Sequence, residues 1–572
     1  MPTKHLMLKR ILVAAVVLMV AGAGVAYLNR KAIILYLVTK TGKVDVTQNH
    51  PIAWEHGPAE AKMSIAERPP NIVFILADDL GINDISTFGG GVAGGQVPTP
   101  NIDRLASEGA VFTQAYSGSG TCAPSRAMLM TGRYPTRTGF EFTPTPPGMS
   151  RIVSMFANDM LKNANREGVG LPPVVWNREA AKTAPPFRDM GLPGEEVTIS
   201  EVLKGAGYHT VHIGKWHMGR SRPFRPVSQG FDESLLMASG LYLPEDHPDV
   251  VNAELPFDPI DRFLWARMQF AADFDRAGGE LAEEPFEPGG YLTDYWTDEA
   301  LEVIEANRNR PLFLYLAHWG VHTPLQATRE DYKAVGDIEP HRLRVYAAMV
   351  RALDRSVGRV MDKLEKEGLA DNTLIIFSSD NGGAGYLGLP EVNSPYRGWK
   401  ITLFEGGIRV PMFVKWPARI APGTLIETPV AHIDVMPTLA AAADAPLPQG
   451  VEIDGRNMLP AATGGGGLER PDDAIFWSSG FYKVVRAGDW KLQVNERQKK
   501  TWLFNLAEDP TEQINLVDSH PEKRAELEAL LTAHWADARP PLYPHTTESP
   551  IRIDKTNADP FAPGDEYVIW PN

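Results

Sequence analysis

The sequence predicts an α/β protein with a large mixed, mostly parallel β-sheet flanked by helices, and a smaller C-terminal α+β domain with an antiparallel sheet. Continuous apolar runs at residues 71–77, 311–317 and 374–379 are typical of central strands that helices cover on both faces. Apolar residues spaced by three and four predict a long amphipathic helix at 341–367. Short alternating runs between residues 482 and 505 indicate antiparallel strands.

The composition is that of an ordinary globular protein with an acidic charge balance. The 572 residues include 56 basic and 71 acidic side chains, for a formal net charge of −15. Nucleic acid is excluded as a partner, because binding to phosphates needs a basic face. An anionic substrate would need a local cationic pocket within this acidic field.

The N-terminal segment, residues 1–40, predicts export. Residues 11–28 are apolar and uncharged, with basic residues on both sides. This run is long for a signal peptide and near the lower limit for a membrane span, so a cleaved signal and an uncleaved anchor both stay open. We favour the anchor. Because the chain has a single cysteine and no disulfides, a bacterial periplasm fits best, with the anchor in the inner membrane.

A pair of carboxylates follows the first predicted strand. Residues 41–68 are polar and are predicted to be a linker, and a catalytic domain at 69–465 follows. Its strand at 71–77 ends in Asp78 and Asp79, where open α/β sheets place their ligands. A cation between the two carboxylates would relieve their repulsion. A solvated turn is the alternative interpretation.

A second polar pair, Asp380 and Asn381, follows the strand predicted at 374–379. The carboxyl ends of parallel strands meet at one edge of a sheet, so this pair and the first can share one hard cation. Ligation by oxygen alone favours Ca²⁺ or Mg²⁺ over softer metals.

Cys122 is the only cysteine, so it has neither a disulfide partner nor a second thiolate for a zinc site. A lone cysteine is usually a small buried hydrophobe. Here Pro124 and Ser125 predict the first turn of a helix, whose N-terminus favours an anion. Arg126 lies about one turn along and can lean towards the same place.

Two more polar loops follow predicted strands. Lys215 and His217 come directly after the strand at 209–213, and His318 and His322 come after the apolar run that ends at Ala317. Such residues are ordinary in surface loops, so neither loop identifies a site by itself.

The remaining regions are assigned from composition. Residues 141–195 predict an extended loop or lid, and the aromatic residues of 240–290 indicate either core packing around a local helix or the lining of a substrate pocket. A glycine run near residue 465 is predicted to end the catalytic domain. The C-terminal domain follows at 466–545, and 546–572 is predicted to be a polar tail.

Residues 122–126 and 131–133 carry the pattern C-x-P-S-R…T-G-R, which resembles the signature of type I sulfatases in the alkaline phosphatase superfamily. The resemblance extends over roughly residues 70–540. Further segments resemble the family in the same order: G-K-W-H at 214–217, H-T-P-L at 322–325, G-W-K at 398–400, E-G-G-I-R-V-P at 405–411 and an acidic turn at 508–512. One position departs, because Val321 stands where the family usually has proline.

The resemblance implies an alkaline-phosphatase-like fold and hydrolysis of sulfate esters. It implies that a maturation enzyme oxidises Cys122 to formylglycine, whose hydrated aldehyde attacks sulfur. It also implies a divalent-metal site, formed by Asp78, Asp79, Cys122, Asp380 and Asn381.

The resemblance gives roles to the remaining residues as well. Arg126, Lys215 and Lys400 would stabilise charge on the transferring group. His322 or Lys400 would protonate the leaving oxygen, and His322 is preferred to the nearby His318. His217 would take a proton from the second hydroxyl of the hydrated aldehyde.

The substrate is expected to be a sulfated small molecule or carbohydrate, and aryl, steroid and sugar esters all stay open. Two alternative hypotheses for the function stay open. The protein could be a phosphonate or phosphate ester hydrolase on the same scaffold, or a binding protein whose cysteine is never converted. A membrane-embedded phosphoryl transferase is disfavoured, since the only long apolar segment is at the N-terminus.

Overall fold

The computed structural model describes residues 2–165, 170–279 and 284–572. The helices in these ranges, in chain order, are α1 (Pro2–Leu28), α2 (Arg30–Thr41), α3 (Val92–Gly95), α4 (Pro100–Ser107), α5 (Cys122–Thr131), α6 (Pro135–Thr138), α7 (Pro147–Asn165), α8 (Arg178–Thr183), α9 (Ile199–Gly205), α10 (Asp261–Arg267), α11 (Leu292–Ala306), α12 (Arg329–Ala334), α13 (His341–Lys366), α14 (Glu405–Ile408), α15 (Val435–Ala442), α16 (Leu459–Ala462) and α17 (Pro521–Trp535).

The strands, in the same order, are β1 (Asn71–Ala77), β2 (Ala110–Phe112), β3 (Ala115–Tyr116), β4 (Val175–Trp176), β5 (His209–Gly214), β6 (Glu233–Gly240), β7 (Val250–Ala253), β8 (Phe270–Arg276), β9 (Leu312–Ala317), β10 (Leu325–Thr328), β11 (Thr373–Ser379), β12 (Met412–Lys415), β13 (Thr424–Ile426), β14 (Val430–Ala431), β15 (Ala474–Ser479), β16 (Tyr482–Ala487), β17 (Trp490–Asn495), β18 (Lys500–Asn505), β19 (Thr547–Arg552) and β20 (Tyr567–Pro571).

A nine-stranded mixed sheet forms the centre of the molecule, in the order β13-β2-β12-β11-β1-β9-β5-β6-β8. The segment from β11 through β1, β9 and β5 to β6 is parallel throughout, while β12 and β8 pair antiparallel with their neighbours β11 and β6. The three predicted central strands are β1, β9 and β11, and all of their residues are buried. The predicted α/β architecture is therefore confirmed.

Alternate side chains of β1 enter two separate cores, because successive residues of a strand point to opposite faces. Val73 and Ile75 join the core under α13 and α11. Ile72 and Phe74 join the core that contains residues of α5, α9 and α15. Helices on both faces explain why the strand is apolar at every position, and the predicted long helix is α13 within one residue at its end.

The C-terminal sheet also agrees with the prediction. Strands β15 to β18 form a four-stranded antiparallel meander, with α17 packed on it through Leu527 and Leu531. The polar-tail prediction for 546–572 is wrong, since β19 and β20 pair with each other and with β4. The sequence of β19, TESPIR, has a single aliphatic residue and contains a proline, so it does not have the pattern of a strand, and most side chains of both strands are only partly buried.

The prediction of an extended loop or lid at 141–195 is partly wrong, because residues 147–165 form the helix α7. Strand β4 and helix α8 follow it. The early Pro147 and Gly148 conceal this helix in the sequence. In the 240–290 region, Phe263, Trp265 and Phe274 are buried in the fold, which favours the core-packing interpretation.

The predicted linker at 41–68 is packed against the body. Among the described residues it contains neither a helix beyond Thr41 nor a strand. Trp54 is buried, and its indole N–H donates to Glu299 at 2.6 Å. Thr47 forms a β-bridge with Phe286, so the segment lies along the domain surface.

Candidate active site

The two polar pairs meet at the carboxyl edge of the central sheet. Strands β1 and β11 are parallel neighbours with Ala77 opposite Ser379, so Asp78 and Asp380 follow at the same level. The backbone N–H of Asp79 lies 3.3 Å from Asp380 Oδ1, and the Asn381 amide donates to Asp79 Oδ1 at 2.8 Å. All four side chains are at most 1% exposed.

Cys122 is the first residue of α5, and its thiol faces this edge. Its Sγ lies 3.6 Å from Asp78 Oδ1 and 3.9 Å from Asp79 Oδ1. Thr121 is extended and immediately precedes the helix, so Pro124 and Ser125 lie at its start, as predicted. The thiol therefore lies against two carboxylates at a helix N-terminus, where an anion is favoured.

Three cations surround the carboxylates. Arg126 Nη2 lies 2.8 Å from Asp380 and 3.4 Å from Asp78. Lys215 Nζ lies 2.5 Å from Asp78. Lys400 Nζ lies 2.6 Å from Asp79 Oδ1. All three basic side chains are buried, so three fixed cations balance the three carboxylates within a protein that is acidic as a whole.

The two candidate histidines that follow β9, His318 and His322, lie in different surroundings. His322 Nε2 lies 3.5 Å from Asp79, its Nδ1 contacts the Thr323 carbonyl at 2.7 Å, and its ring stacks on Trp319 at 4.0 Å. His318 is fully buried and its Nε2 contacts the Ser356 hydroxyl at 2.9 Å. Only His322 of the two is in contact with the acidic cluster.

His217 has the left-handed backbone conformation, with φ of 64°. Its Nδ1 is buried and has no hydrogen-bond partner among the described residues. Burial and the charges of Lys215 and Arg126 lower the pKa of His217 well below its usual range, so its ring is neutral.

Burial and mutual charge separate the pKa values of the neighbouring acids. Burial and then Asp380 raise the pKa of Asp78 to about 7. Burial also acts to raise the pKa of Asp79, but the charges of Lys400, His322 and Lys215 outweigh it and hold that pKa below the usual range. In the protein alone, burial and Asp380 raise the pKa of the Cys122 thiol, so it stays protonated at neutral pH.

The cluster has the chemistry of a hard-cation site. Ligand atoms of Asp78, Asp79, Cys122 and His322 all lie within 4.8 Å of one another. Asn381 Oδ1 is buried and has no hydrogen-bond partner among the described residues, although such an acceptor is costly to leave unpaired. Carboxylate oxygens and an unpaired amide oxygen are the donors that Ca²⁺ and Mg²⁺ take.

Tyr386 is a site residue that the sequence did not indicate. Its hydroxyl donates to Asp79 Oδ2 at 2.7 Å and lies 3.4 Å from Lys400 Nζ. It comes from a glycine-rich loop after β11, and nothing in its local sequence distinguishes it from a core tyrosine.

The chain that follows Asn381 packs closely on the backbone of the E-G-G segment at 405–407. Gly382 N–H donates to the Gly407 carbonyl at 3.0 Å. A Cβ on Gly382 would lie 1.9 Å from the Gly406 carbonyl oxygen, so only glycine permits this approach. The E-G-G segment thus fixes the position of the chain that follows Asn381.

A buried ion network joins the E-G-G segment to the C-terminal domain. Lys491 Nζ lies 2.8 Å from Glu405 and 2.9 Å from Glu512, and all three side chains are fully buried. Glu512 also accepts the backbone N–H of Glu405 at 2.6 Å. The acidic turn near residue 510 therefore stabilises a catalytic-domain loop.

Replacing Lys491 with methionine is expected to lower the free energy of unfolding by about 3–5 kcal/mol, because it leaves two buried glutamates facing each other. The matched control is Lys483→Met, which removes a partly exposed pair with Glu496 and is expected to cost at most about 1 kcal/mol. Denaturant unfolding of both variants measures the difference. Equal losses would contradict the structural role of the network.

The sulfatase family model matches residues 70–445, and the model described as N-sulphoglucosamine sulphohydrolase, C-terminal, matches residues 398–539. The second match includes Lys400, Glu405 and the C-terminal sheet. Together the two matches span the catalytic cluster and the network that supports it.

Known proteins give the same result. N-acetylgalactosamine-6-sulfatase from Mus musculus is 32% identical, over 75% of this chain and 72% of that protein. Steryl-sulfatase from Mus musculus is 32% identical, over 74% and 69%. The crystal structure of Ps i-CgsB aligns with a TM-score of 0.65 at 31% identity, over 83% of this chain and 95% of that one. This chain is a member of the sulfatase family, within the alkaline phosphatase superfamily.

Proposed function

We propose that this protein removes sulfate from a sulfated carbohydrate through a formylglycine made from Cys122. Membership of the sulfatase family makes it an enzyme that hydrolyses sulfuric esters. The single observation that carries the finer proposal is the position of Cys122. Its sulfur lies 3.6 Å from Asp78 at the start of α5, beside an acidic cluster and its three cations.

The environment of Cys122 favours conversion over direct thiol chemistry. A thiolate is the reactive form of cysteine, and burial raises the pKa of this thiol. The buried thiol is therefore a poor nucleophile as it stands. Formylglycine, formed by a maturation enzyme, would supply a hydroxyl of its hydrated aldehyde as the attacking group.

Asp78, Asp79, Asp380 and Asn381 would hold a divalent cation, with residue 122 beside it. We infer Ca²⁺, with Mg²⁺ as the alternative, because the donors are oxygens. Such an ion would ease ionisation of the attacking hydroxyl and draw charge from a sulfate oxygen. The buried position of these oxygen ligands and the unpaired Asn381 Oδ1 support this assignment.

The cations would bind the sulfate group. Lys215 lies against Asp78, Lys400 lies against Asp79, and Arg126 holds Asp380 in place. Buried cations stabilise developing negative charge more strongly than they would in water. They need no reorganisation in the transition state, because ion pairs already fix them.

Two histidines would move the protons. His322 Nε2 lies at the cluster, and burial lowers the pKa of His322 to about 3. A bound anionic sulfate would raise that pKa again, since an opposite charge favours the protonated ring. His322 or Lys400 would then protonate the leaving oxygen. The neutral His217 would accept the proton of the second hydroxyl at its unpaired Nδ1.

A carbohydrate is the substrate class that the relatives favour. Ps i-CgsB, at 31% identity, is also known in complex with k-i-k-neocarrahexaose. A steryl-sulfatase and an N-acetylgalactosamine-6-sulfatase are both 32% identical to this chain, so an apolar ester is the second candidate substrate. The phosphonate monoester hydrolase of Agrobacterium radiobacter, at 18% identity and a TM-score of 0.55, shares the fold alone.

A panel of esters tests the proposal on enzyme produced together with a maturation system. We expect sulfated oligosaccharides to exceed p-nitrophenyl sulfate in kcat/KM by at least about tenfold, or about 1.4 kcal/mol of transition-state binding. p-Nitrophenyl phosphate and a phosphonate monoester should be slower than the aryl sulfate. Faster turnover of either phosphorus ester would favour the rival hydrolase, and no sulfate release from converted enzyme would refute the proposal.

The location of the enzyme is also proposed. The helix at Met7–Leu28 is long and apolar enough to cross a membrane, and a signal sequence would pass the same test. We infer that residues 11–28 anchor an exported body in the inner membrane, facing a bacterial periplasm. The domain boundaries at 69–465 and 466–545 stay predictions.

A further inference from the structure

The second helix, α2, is apolar on two opposite faces. Its partly buried residues recur in pairs on the side that contacts the body, namely Arg30, Lys31, Ile34, Leu35, Val38 and Thr39. The intervening residues face outward. Three aliphatic side chains of α2 already face the body, so the apolar residues on its outward side need a separate explanation.

Polar contacts fix α2 to the body. Arg30 and Lys31 lie 2.7 and 3.3 Å from Asp159 of α7. Just after the helix, Val44 exchanges two hydrogen bonds with the Gln269 side chain, at 2.9 and 2.8 Å. Because both ends of α2 are held in this way, the helix is part of the folded domain.

The outward face of α2, defined here as Ile33, Tyr36 and Leu37, is open. These side chains are 43%, 63% and 51% exposed, and none belongs to a hydrophobic cluster of the described residues. Lys40 extends the same face at its end. A tyrosine beside aliphatic residues and a terminal lysine is the composition of a membrane interface.

The position of α2 directly after α1 indicates what covers this face. Only Asn29 separates α2 from α1, whose membrane-length segment is entirely unburied. The Asn29 N–H bonds to the Val25 carbonyl and the Ile33 N–H bonds to the Asn29 carbonyl, both at 3.0 Å. The end of the apolar helix thus lies next to the outward face, with no spacer between them.

We propose that the outward face of α2 lies in the lipid interface of the bilayer that α1 spans. The inference rests on the proposed anchor. Tyrosine and aliphatic side chains beside a terminal lysine are favoured at the boundary between headgroups and acyl chains, where a spanning helix leaves the bilayer. Because α2 is fixed to α7, this second contact holds the catalytic body in one orientation at the membrane, with the α2 side towards the lipid.

Single spin labels on the full-length chain in lipid nanodiscs test this arrangement. Cys122→Ala removes the only cysteine, and labels are then attached through Tyr36→Cys, Leu37→Cys, Val16→Cys in α1 and Ile514→Cys on the C-terminal domain. Ile514 is 61% exposed and serves as the aqueous control. Collisions of each label with oxygen, which dissolves in lipid, and with a water-soluble nickel chelate report its surroundings.

Labels at positions 36 and 37 are expected to lose accessibility to the chelate and gain accessibility to oxygen relative to position 514. If they match position 514 while position 16 is protected, the α2 proposal is wrong and the anchor stands. If position 16 is also open to the chelate, the anchor itself fails and the α2 proposal with it. Labels shielded from both reagents would show a protein partner on this face, which also refutes the proposal.

Discussion

Replacing Cys122 with alanine is expected to abolish sulfate release while leaving the fold intact. The alanine variant cannot form the aldehyde, so the loss should reach at least about four orders of magnitude, as when a covalent nucleophile is removed. The cost to stability should be only about 1 kcal/mol, the scale of one buried methylene-sized group. Release of sulfate from a sulfated oligosaccharide and the denaturant unfolding curve measure the two effects.

The same helix offers a matched control. Met130→Leu changes a fully buried side chain of α5 at nearly constant volume, and such exchanges usually cost less than about 1.5 kcal/mol. This variant should keep its activity. Mass spectrometry of the tryptic peptide 105–126 from the wild-type chain should show loss of the thiol and gain of an aldehyde at residue 122. Full activity of Cys122→Ala would overturn the assignment of the nucleophile.

Local sequence predicted the parts of the site that follow buried strands. The apolar run of β1 and the apolar run of β11 identified central strands, and parallel pairing then brings Asp78 next to Asp380. These inferences hold because strand burial is visible in a few consecutive residues and the edge of a parallel sheet collects strand ends. Cys122 was identified differently, from the residues that begin its helix and from the resemblance to the type I sulfatase signature.

Long-range contacts were beyond this kind of reasoning. Tyr386 reaches Asp79 across 307 residues, and Lys491 reaches Glu405 across 86. Each is a single polar residue in an ordinary local sequence, so its role exists only after folding. Helix α7 was missed for a local reason, because Pro147 and Gly148 at its start are poor helix formers.

Removing the proposed divalent ion is expected to abolish turnover and to destabilise the protein. The acidic cluster is almost completely buried, and ions that bind only the folded state stabilise it by about 2.7 kcal/mol at one hundred times their dissociation constant. Dialysis against a chelator should therefore remove sulfatase activity and lower the melting temperature. Adding back Ca²⁺ or Mg²⁺ separately, with metal content measured by mass spectrometry, identifies the ion that restores both.

Two aspartate variants distinguish the loss of metal binding from the general effect of neutralising a buried carboxylate. Asp380→Asn removes a charge from the cluster and should lose bound metal and activity together. Asp84→Asn is the matched control, because Asp84 is equally buried but accepts hydrogen bonds from Tyr346 and the Gly81 backbone, at 2.5 and 2.8 Å. It should retain the metal and turnover. Undiminished activity in wild-type enzyme shown to be free of metal would mean that the oxygen cluster does not serve as a cation site, and that the three basic residues alone stabilise the transferring sulfate.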